Sequence, residues 1–458
     1  MGKWLIGAAL AALAVPAAAQ QAPYQRDARE MLEKTVAIRT ALGRSETQKV
    51  ADYLAARFKA AGVPDGDIAM LPTGGETGMV VRIPGSDAKA RPILFSSHMD
   101  VVDANPEDWE RDPFKLVEEN GYFFGRGVVD NKAGVVALAS TMERIKKEGF
   151  KPRRTLVFAF VGDEETRFDT TKLIAAHPWV KNAEFAINTD AGGGDLGPDG
   201  KPIIYLVQGA EKTYADYDVT VTNPGGHSSR PRSDNAIYDL AAALEKIGAH
   251  RFPVQSNALT VRYLGAVGKA MPGPTGDALK RFSANPQDAA AAEVLRADPS
   301  FVGTLGTTCV ATMLSGGHAP NALPQKASAN VNCRIFPGTT GEEVRAKLSE
   351  VIGNPKVKVT LKGEAVESPV SETTPQIDAA IAKAIHSQHK GVPIAPYLES
   401  GGTDGRIYRA AGIPTFATSG IFMKSDDMFA HGLNERVPVK AFYEAIDHIH
   451  MLAVDLSK

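Results

Sequence analysis

The chain has 458 residues, and its 51 Lys and Arg nearly cancel 53 Asp and Glu. Such a length suits two domains better than one core, and the balanced charge leaves no basic footprint for nucleic acid. The 43% hydrophobic content is that of an ordinary globular protein.

Residues 1–19 read as a cleaved signal peptide: Lys3 precedes an apolar stretch over 4–15, and Ala17-Ala-Ala19 supplies small residues for cleavage. The stretch is shorter than the ~20 residues that span a bilayer, and no second hydrophobic span follows to favour an anchor. A periplasmic or secreted protein is expected, with no stable membrane association once the signal is removed.

Residues 25–62 carry helical periodicity, ending near Gly62 and Pro64. Strand-like runs at 78–83, 92–97, 154–161 and 184–189 then alternate with helical patterns after Asp130 to Lys147 and near 171–177. That alternation predicts an α/β domain, a mixed sheet with helices on both faces. From Glu211 the texture changes to strict alternation over 214–222, a helix over 233–247, alternating runs at 307–314 and 326–335, and a helix over 340–352. This predicts an inserted α+β unit of ferredoxin-like type. The first texture returns after Pro369, with a helix over 374–388, an apolar run at 414–418 and a closing helix from Pro438. The expected organisation is a discontinuous catalytic domain, 24–210 and 366–458, interrupted by a lid and dimerisation domain at 211–365.

Cys309 and Cys333 fall in the two alternating runs of the insert, so they would face each other if those runs pair. An exported chain could oxidise them; two unrelated buried thiols are the alternative.

Polar residues gather where the apolar runs stop. Residues 155–162 form the most apolar run of the mature chain and end at Glu164 and Glu165, adjacent carboxylates that are costly beside a buried strand without a cation. If the segment is extended, the two side chains point to opposite sides. His98 and Asp100 follow another run, Asp190 a third, and a carboxylate beside a histidine can fix its tautomer. In open α/β sheets such strand ends form the binding crevice. Asp130 is either the N-cap of the following helix or a bridging ligand, and local sequence does not separate these. Gly192-Gly-Gly194-Asp-Leu-Gly197 formally matches a dinucleotide fingerprint, but Pro198 and an extended run follow where a helix should begin. His448 and His450 diverge on a helix, and His386 with His389 read as a solvated helix end.

The motifs His98-Met-Asp-Val-Val102, Trp109 with Asp112-Pro-Phe114, Gly125-Arg-Gly-Val-Val-Asp-Asn-Lys132, Gly162-Asp-Glu-Glu165, Asp190, Gly225-Gly-His-Ser-Ser229, Ser400-Gly-Gly-Thr-Asp-Gly405 and His431-Gly432 occur in this order. Together they resemble the M20 family of dinuclear zinc metallopeptidases, the group of glutamate carboxypeptidase, carboxypeptidase S and aminoacylase-1. The resemblance implies two Zn2+ per subunit, with Asp130 bridging, His98 and Asp190 completing one site, and Glu165 and His431 the other. Mn2+ and Co2+ accept the same donors. It implies Glu164 as general base toward a metal-activated water, with Asp100 supporting His98. It further implies that His227 reaches a neighbouring subunit's site in a homodimer and stabilises the oxyanion; a turn histidine is the alternative. Asn321, Arg334, Gly402 and Thr403, with Gly401 beside them, would hold the substrate, Arg334 through its carboxylate. Arg406 is a weaker candidate that a surface ion pair explains as well. The implied activity is a carboxypeptidase or dipeptidase that cleaves the amide next to a free carboxylate, the alternative being an N-acyl-amino-acid amidohydrolase. A binding protein that has lost catalysis would show gaps among the ligands, and none is seen.

Overall fold

The computed structural model describes residues 23–458; the expected signal peptide lies outside them. Ten strands build one mixed sheet, ordered Ile68–Thr73, Glu76–Ile83, Leu156–Val161, Ile93–His98, Phe185–Asn188, Thr415–Ala417, Pro202–Glu211, Gly193–Leu196 and Phe422–Lys424, with Ile394–Glu399 also paired to Pro202–Glu211. Its centre is parallel: Ile93–His98 runs beside both Leu156–Val161 and Phe185–Asn188. Strand alternation sends Leu156, Phe158 and Phe160 to one core, with helices Pro23–Val36, Thr47–Ala60, Lys132–Glu148, Pro375–Gln388 and Val439–Leu456. Val157, Ala159 and Val161 enter a second core against Asp169–Ala176 and Gly405–Ala410. Helices therefore cover both faces, which is why the central strands are apolar throughout.

A separate antiparallel sheet takes the order Thr308–Gly316, Lys326–Ile335, Thr213–Thr222, Val357–Lys362. Helices Ala236–Ala249 and Gly341–Ile352 pack on it around Tyr217, Val219 and Val331, the βαββαβ arrangement of a ferredoxin-like unit. Cys309 and Cys333 sit directly opposite in this ladder and form a disulfide. Four helices went unread in the sequence: Ala258–Ala270, Gly273–Ala284, Ala289–Arg296 and Pro299–Val302. They enclose a small core of their own around Leu264, Leu279, Phe282 and Leu295. The first of them also touches the large sheet, where Tyr263 meets the Tyr397 ring at 6.2 Å.

The helical periodicity over 25–62 is broken. Pro23–Val36 and Thr47–Ala60 are separate helices, because buried Lys132 donates to the Thr35 and Ile38 carbonyls, both at 2.8 Å, and draws the chain away. His389 is likewise not a solvated helix end: its ring lies 3.9 Å from that of Phe422, with Glu444 3.3 Å from Nε2. Glu164 and Glu165 lie in a turn rather than an extended segment. Among the described residues no helix is long and apolar enough to cross a membrane.

Candidate metal centre

Three parallel strands end side by side, and polar residues at or just beyond their C-terminal ends meet there. His98 closes its strand fully buried. Its Nε2 lies 2.9 Å from Asp130 Oδ1 and 3.2 Å from Asp190 Oδ1. The second Asp130 oxygen lies 3.0 Å from His431 Nε2, which is also 2.9 Å from Glu165 Oε1. One carboxylate thus faces two imidazoles, one oxygen to each. Donor atoms of His98, Asp130 and Glu165 fall within 4.8 Å of one another, as do those of His98, Glu164 and Asp190.

Asp100 lies against His98 Nδ1 through both its backbone carbonyl and its carboxylate. The backbone carbonyl of Asp100, not the carboxylate, lies nearest His98 Nδ1, at 3.0 Å against 3.4 Å. The carboxylate also accepts from the amides of Glu164, 3.1 Å, and Glu165, 3.0 Å. It therefore sets the turn that aims both glutamates. Proximity does not distinguish the two, but partners do. Glu165 is bonded by His431, whereas among the described residues no hydrogen bond reaches the Glu164 carboxylate.

Asp130 is presented by a loop whose amides converge on one distant carboxylate. Glu435, fully buried, accepts from the amides of Gly127 and Val129 at 2.8 Å and of Asp130 at 3.1 Å. Arg126 donates to Glu435 at 2.8 Å and to the carbonyls of His431 and Gly432. Its guanidinium sits 5.1 Å from the Trp109 ring. His431 needs such holding, since its φ of 63° is left-handed backbone, disfavoured for a residue with a Cβ. Behind Asp130, Gly134 permits close helix packing: a Cβ there would overlap Asn131 and Thr189. Arg126 lies inside the Gly125–Lys132 motif, but Glu435 carries no local signal.

The electrostatics favour cations. Burial alone would lower the His98 imidazole, yet the charge of Asp190 and bonds to Asp100 and Asp130 hold it well above its usual range. Bonds to Asp130 and Glu165 raise His431 to about 10. Burial would raise Asp130, but contacts from His431 and His98 keep it below the carboxylate norm. Asp190 is pushed up to about 7 by burial, and Glu164 well above its usual value by burial and the Asp190 charge. When ionised, Asp130, Glu164, Glu165 and Asp190 carry four negative charges, which two divalent ions would offset. Nitrogen and oxygen donors in this mixture suit zinc, manganese or cobalt.

The expected substrate residues divide into two groups. Arg334, on the four-stranded sheet, donates to the Ser400 carbonyl at 3.3 Å and lies 4.8 Å from the Tyr214 ring. Beside it, the loop of Gly401, Gly402 and Thr403 is tied down by buried Glu211, which accepts from the Thr403 amide and from Arg409. Arg406 lies 4.0 Å from the Phe168 ring. His227 and Asn321 form the second group: Gly226-His227 pairs with Ala322-Leu323, and Asn321 accepts from the Ser228 amide at 3.0 Å. His227 is exposed, and among the described residues neither it nor Asn321 hydrogen-bonds the His98 cluster. His448 bonds Thr418 and His450 bonds Glu148, both away from the cluster. Gly193–Leu196 is a strand, not the helix start that a dinucleotide site requires.

Residues 94–455 match the peptidase family M20/M25/M40. The chain is 29% identical over 380 residues to an N-fatty-acyl-amino acid synthase/hydrolase, PM20D1, of Xenopus tropicalis, covering 79% of this chain and 71% of that protein. It is 28% identical over 402 residues to probable carboxypeptidase S-like 2 of Dictyostelium discoideum, covering 83% and 74%. Its fold matches an M20 family metallo-carboxypeptidase of Sulfolobus solfataricus with a TM-score of 0.71 at 18% identity, over 94% of this chain and 99% of that one. The chain belongs to the M20/M25/M40 peptidase family of metal-dependent hydrolases.

Proposed function

We propose that the chain is an exported dinuclear zinc hydrolase that cleaves the amide bond next to a free carboxylate, acting on peptides as a carboxypeptidase or dipeptidase. The observation that carries this reading is Asp130, whose two oxygens face His98 and His431 separately. His98, Asp130 and Asp190 would hold one ion, and Asp130, Glu165 and His431 the other. Such ions, when bound, polarise a carbonyl and acidify water. Glu164, with a carboxyl raised by burial, would take the proton of the attacking water and return it to the leaving amine. Arg334 would hold the substrate carboxylate by its planar fork, with Asn321, Gly402 and Thr403 completing the grip.

The unit at 211–365 serves in this reading as lid and dimerisation domain, the remainder as the catalytic domain. Supporting it, the edge strand Thr308–Gly316 exposes Val310, Met313 and Leu314, an unpaired apolar edge that a second copy would cover. His227 from that copy would then stabilise the oxyanion. A second reading, N-acyl-amino-acid hydrolysis, is favoured by the PM20D1 relatives. Turnover of dipeptides against N-acyl amino acids, with and without chelator, decides between them. Activity on acyl substrates alone would overturn the peptide reading, and chelator-resistant activity would overturn the metal.

A further inference from the structure

Away from the candidate metal centre, a cavity of about 140 Å³ opens where the chain enters and leaves the four helices Ala258–Ala270 to Pro299–Val302. Its walls are the entering segment 250–253, the end of Ala289–Arg296, and the leaving segment that runs through Gly306 to Cys309. No residue of the metal centre lines it. Hydrogen bonds set these walls. The Gln255 amide donates to the Leu305 carbonyl at 2.9 Å, its side chain accepts from the Thr307 amide at 3.3 Å, and Arg296 donates to the Phe252 carbonyl at 2.8 Å.

The lining is cationic and lacks a counter-charge. It contains His250, Arg251 and Arg296 but no Asp or Glu. Among the described residues no ion pair joins these three to a carboxylate. His250 Nε2 is buried without a hydrogen-bond partner, which is costly for a polar atom unless something fills the place. The Thr308 hydroxyl accepts from Lys212 Nζ at 3.3 Å and keeps its own hydrogen free to donate. Behind the same loop, Lys212 donates to the Gly303 and Gly306 carbonyls, and burial together with the Arg334 charge pushes its ammonium down to about 7. Positive charge therefore gathers on both sides of the loop.

We propose that this cavity binds a small tetrahedral oxyanion of the phosphate or sulfate type. At about 30 Å³ per water-sized group it takes roughly five non-hydrogen atoms, the number in either ion. His250, Arg251, Arg296 and Thr308 come from separate stretches of chain and suit four oxygens, whereas a carboxylate offers two. The arginine fork matches such oxygens in paired hydrogen bonds. Lys212 joins strand Pro202–Glu211 of the large sheet to Thr213–Thr222 of the small one. An ion seated against the Thr308 loop therefore also steadies the junction between the two units.

The test follows amide hydrogen exchange of the zinc-loaded protein in sodium sulfate, sodium phosphate or sodium acetate, each against sodium chloride at equal ionic strength. Sulfate or phosphate should slow exchange in 250–256 and 302–309, the tighter of the two identifying the occupant, and acetate should bind about tenfold more weakly or worse. The Arg251 side chain is exposed and makes no hydrogen bond or ion pair among the described residues. Arg251→Gln should therefore keep the melting midpoint in chloride yet weaken binding of the tighter ion about tenfold. Arg296→Gln should weaken it similarly, and Arg251→Gln keeps the test decisive if loss of the Phe252 bond unfolds that variant. Absence of protection, protection confined to the segments of the metal centre, or undiminished affinity in Arg251→Gln overturns the site. Acetate binding as tight as sulfate and phosphate overturns the tetrahedral assignment.

Discussion

Replacing Glu435 with Gln tests whether the carboxylate beneath the Asp130 loop organises the metal centre. Glu435 and Arg126 have side chains only 0% and 4% exposed, so their interaction is little screened by solvent. One Glu435 oxygen receives the Val129 and Asp130 amides, the other the Gly127 amide and the Arg126 guanidinium. In glutamine one oxygen becomes an NH2 group facing two donors. Two hydrogen bonds to a charged acceptor are lost, each worth about 1.5–3 kcal/mol, so roughly 3–6 kcal/mol of stability is at stake. Against a typical total of about 5–15 kcal/mol the loss is severe. Urea unfolding should show a much lower midpoint, and metal analysis after gel filtration should show reduced occupancy, because Arg126 also holds the His431 backbone. A variant within about 1 kcal/mol of the parent that retains full metal would refute the role assigned to this buried pair.

Glu164→Gln should keep both metals yet lower kcat by about 10²–10⁴, whereas Asp130→Ala should lose metal; a metal-free Glu164→Gln protein would show that the division between the two glutamates is wrong. Burial lowers the His448 imidazole from 6.5 to about 3, so between those values the unfolded chain binds the proton and the folded one does not. Stability should therefore fall on acidification below pH 6.5, by about 1.4 kcal/mol per unit from this group, and equal acid sensitivity of His448→Gln in denaturant titrations would contradict this. Leu314→Glu places a charge on the exposed edge strand and should convert a dimer to a monomer by light scattering, with activity falling in parallel. A fully active monomer would exclude a contribution of His227 across an interface.

The site was legible where chemistry sits directly on a strand end. His98, Glu164, Glu165 and Asp190 could be singled out because an apolar run stops abruptly at a polar residue, and the parallel order then places those ends together. The inserted ferredoxin-like unit was legible from strict alternation, and the opposed cysteines from the pairing of two runs. Helices Ala258–Ala270 to Pro299–Val302 escaped notice because their apolar faces are short and close mainly on each other.

By itself, the sequence determined the layered α/β class, the insert, the family resemblance and the residue types available for a metal pair, since periodicity and motif order are local properties. Only the tertiary structure decided how Asp130 is oriented, because that depends on Glu435 and Arg126, some 300 residues apart in the chain. It alone showed that the Asp100 carboxylate, besides facing His98, also anchors the glutamate turn, which amide positions decide and spacing from His98 does not. The cationic cavity is likewise tertiary. Its walls come from two connections and one helix end that lie apart in the chain, and no single segment carries its pattern.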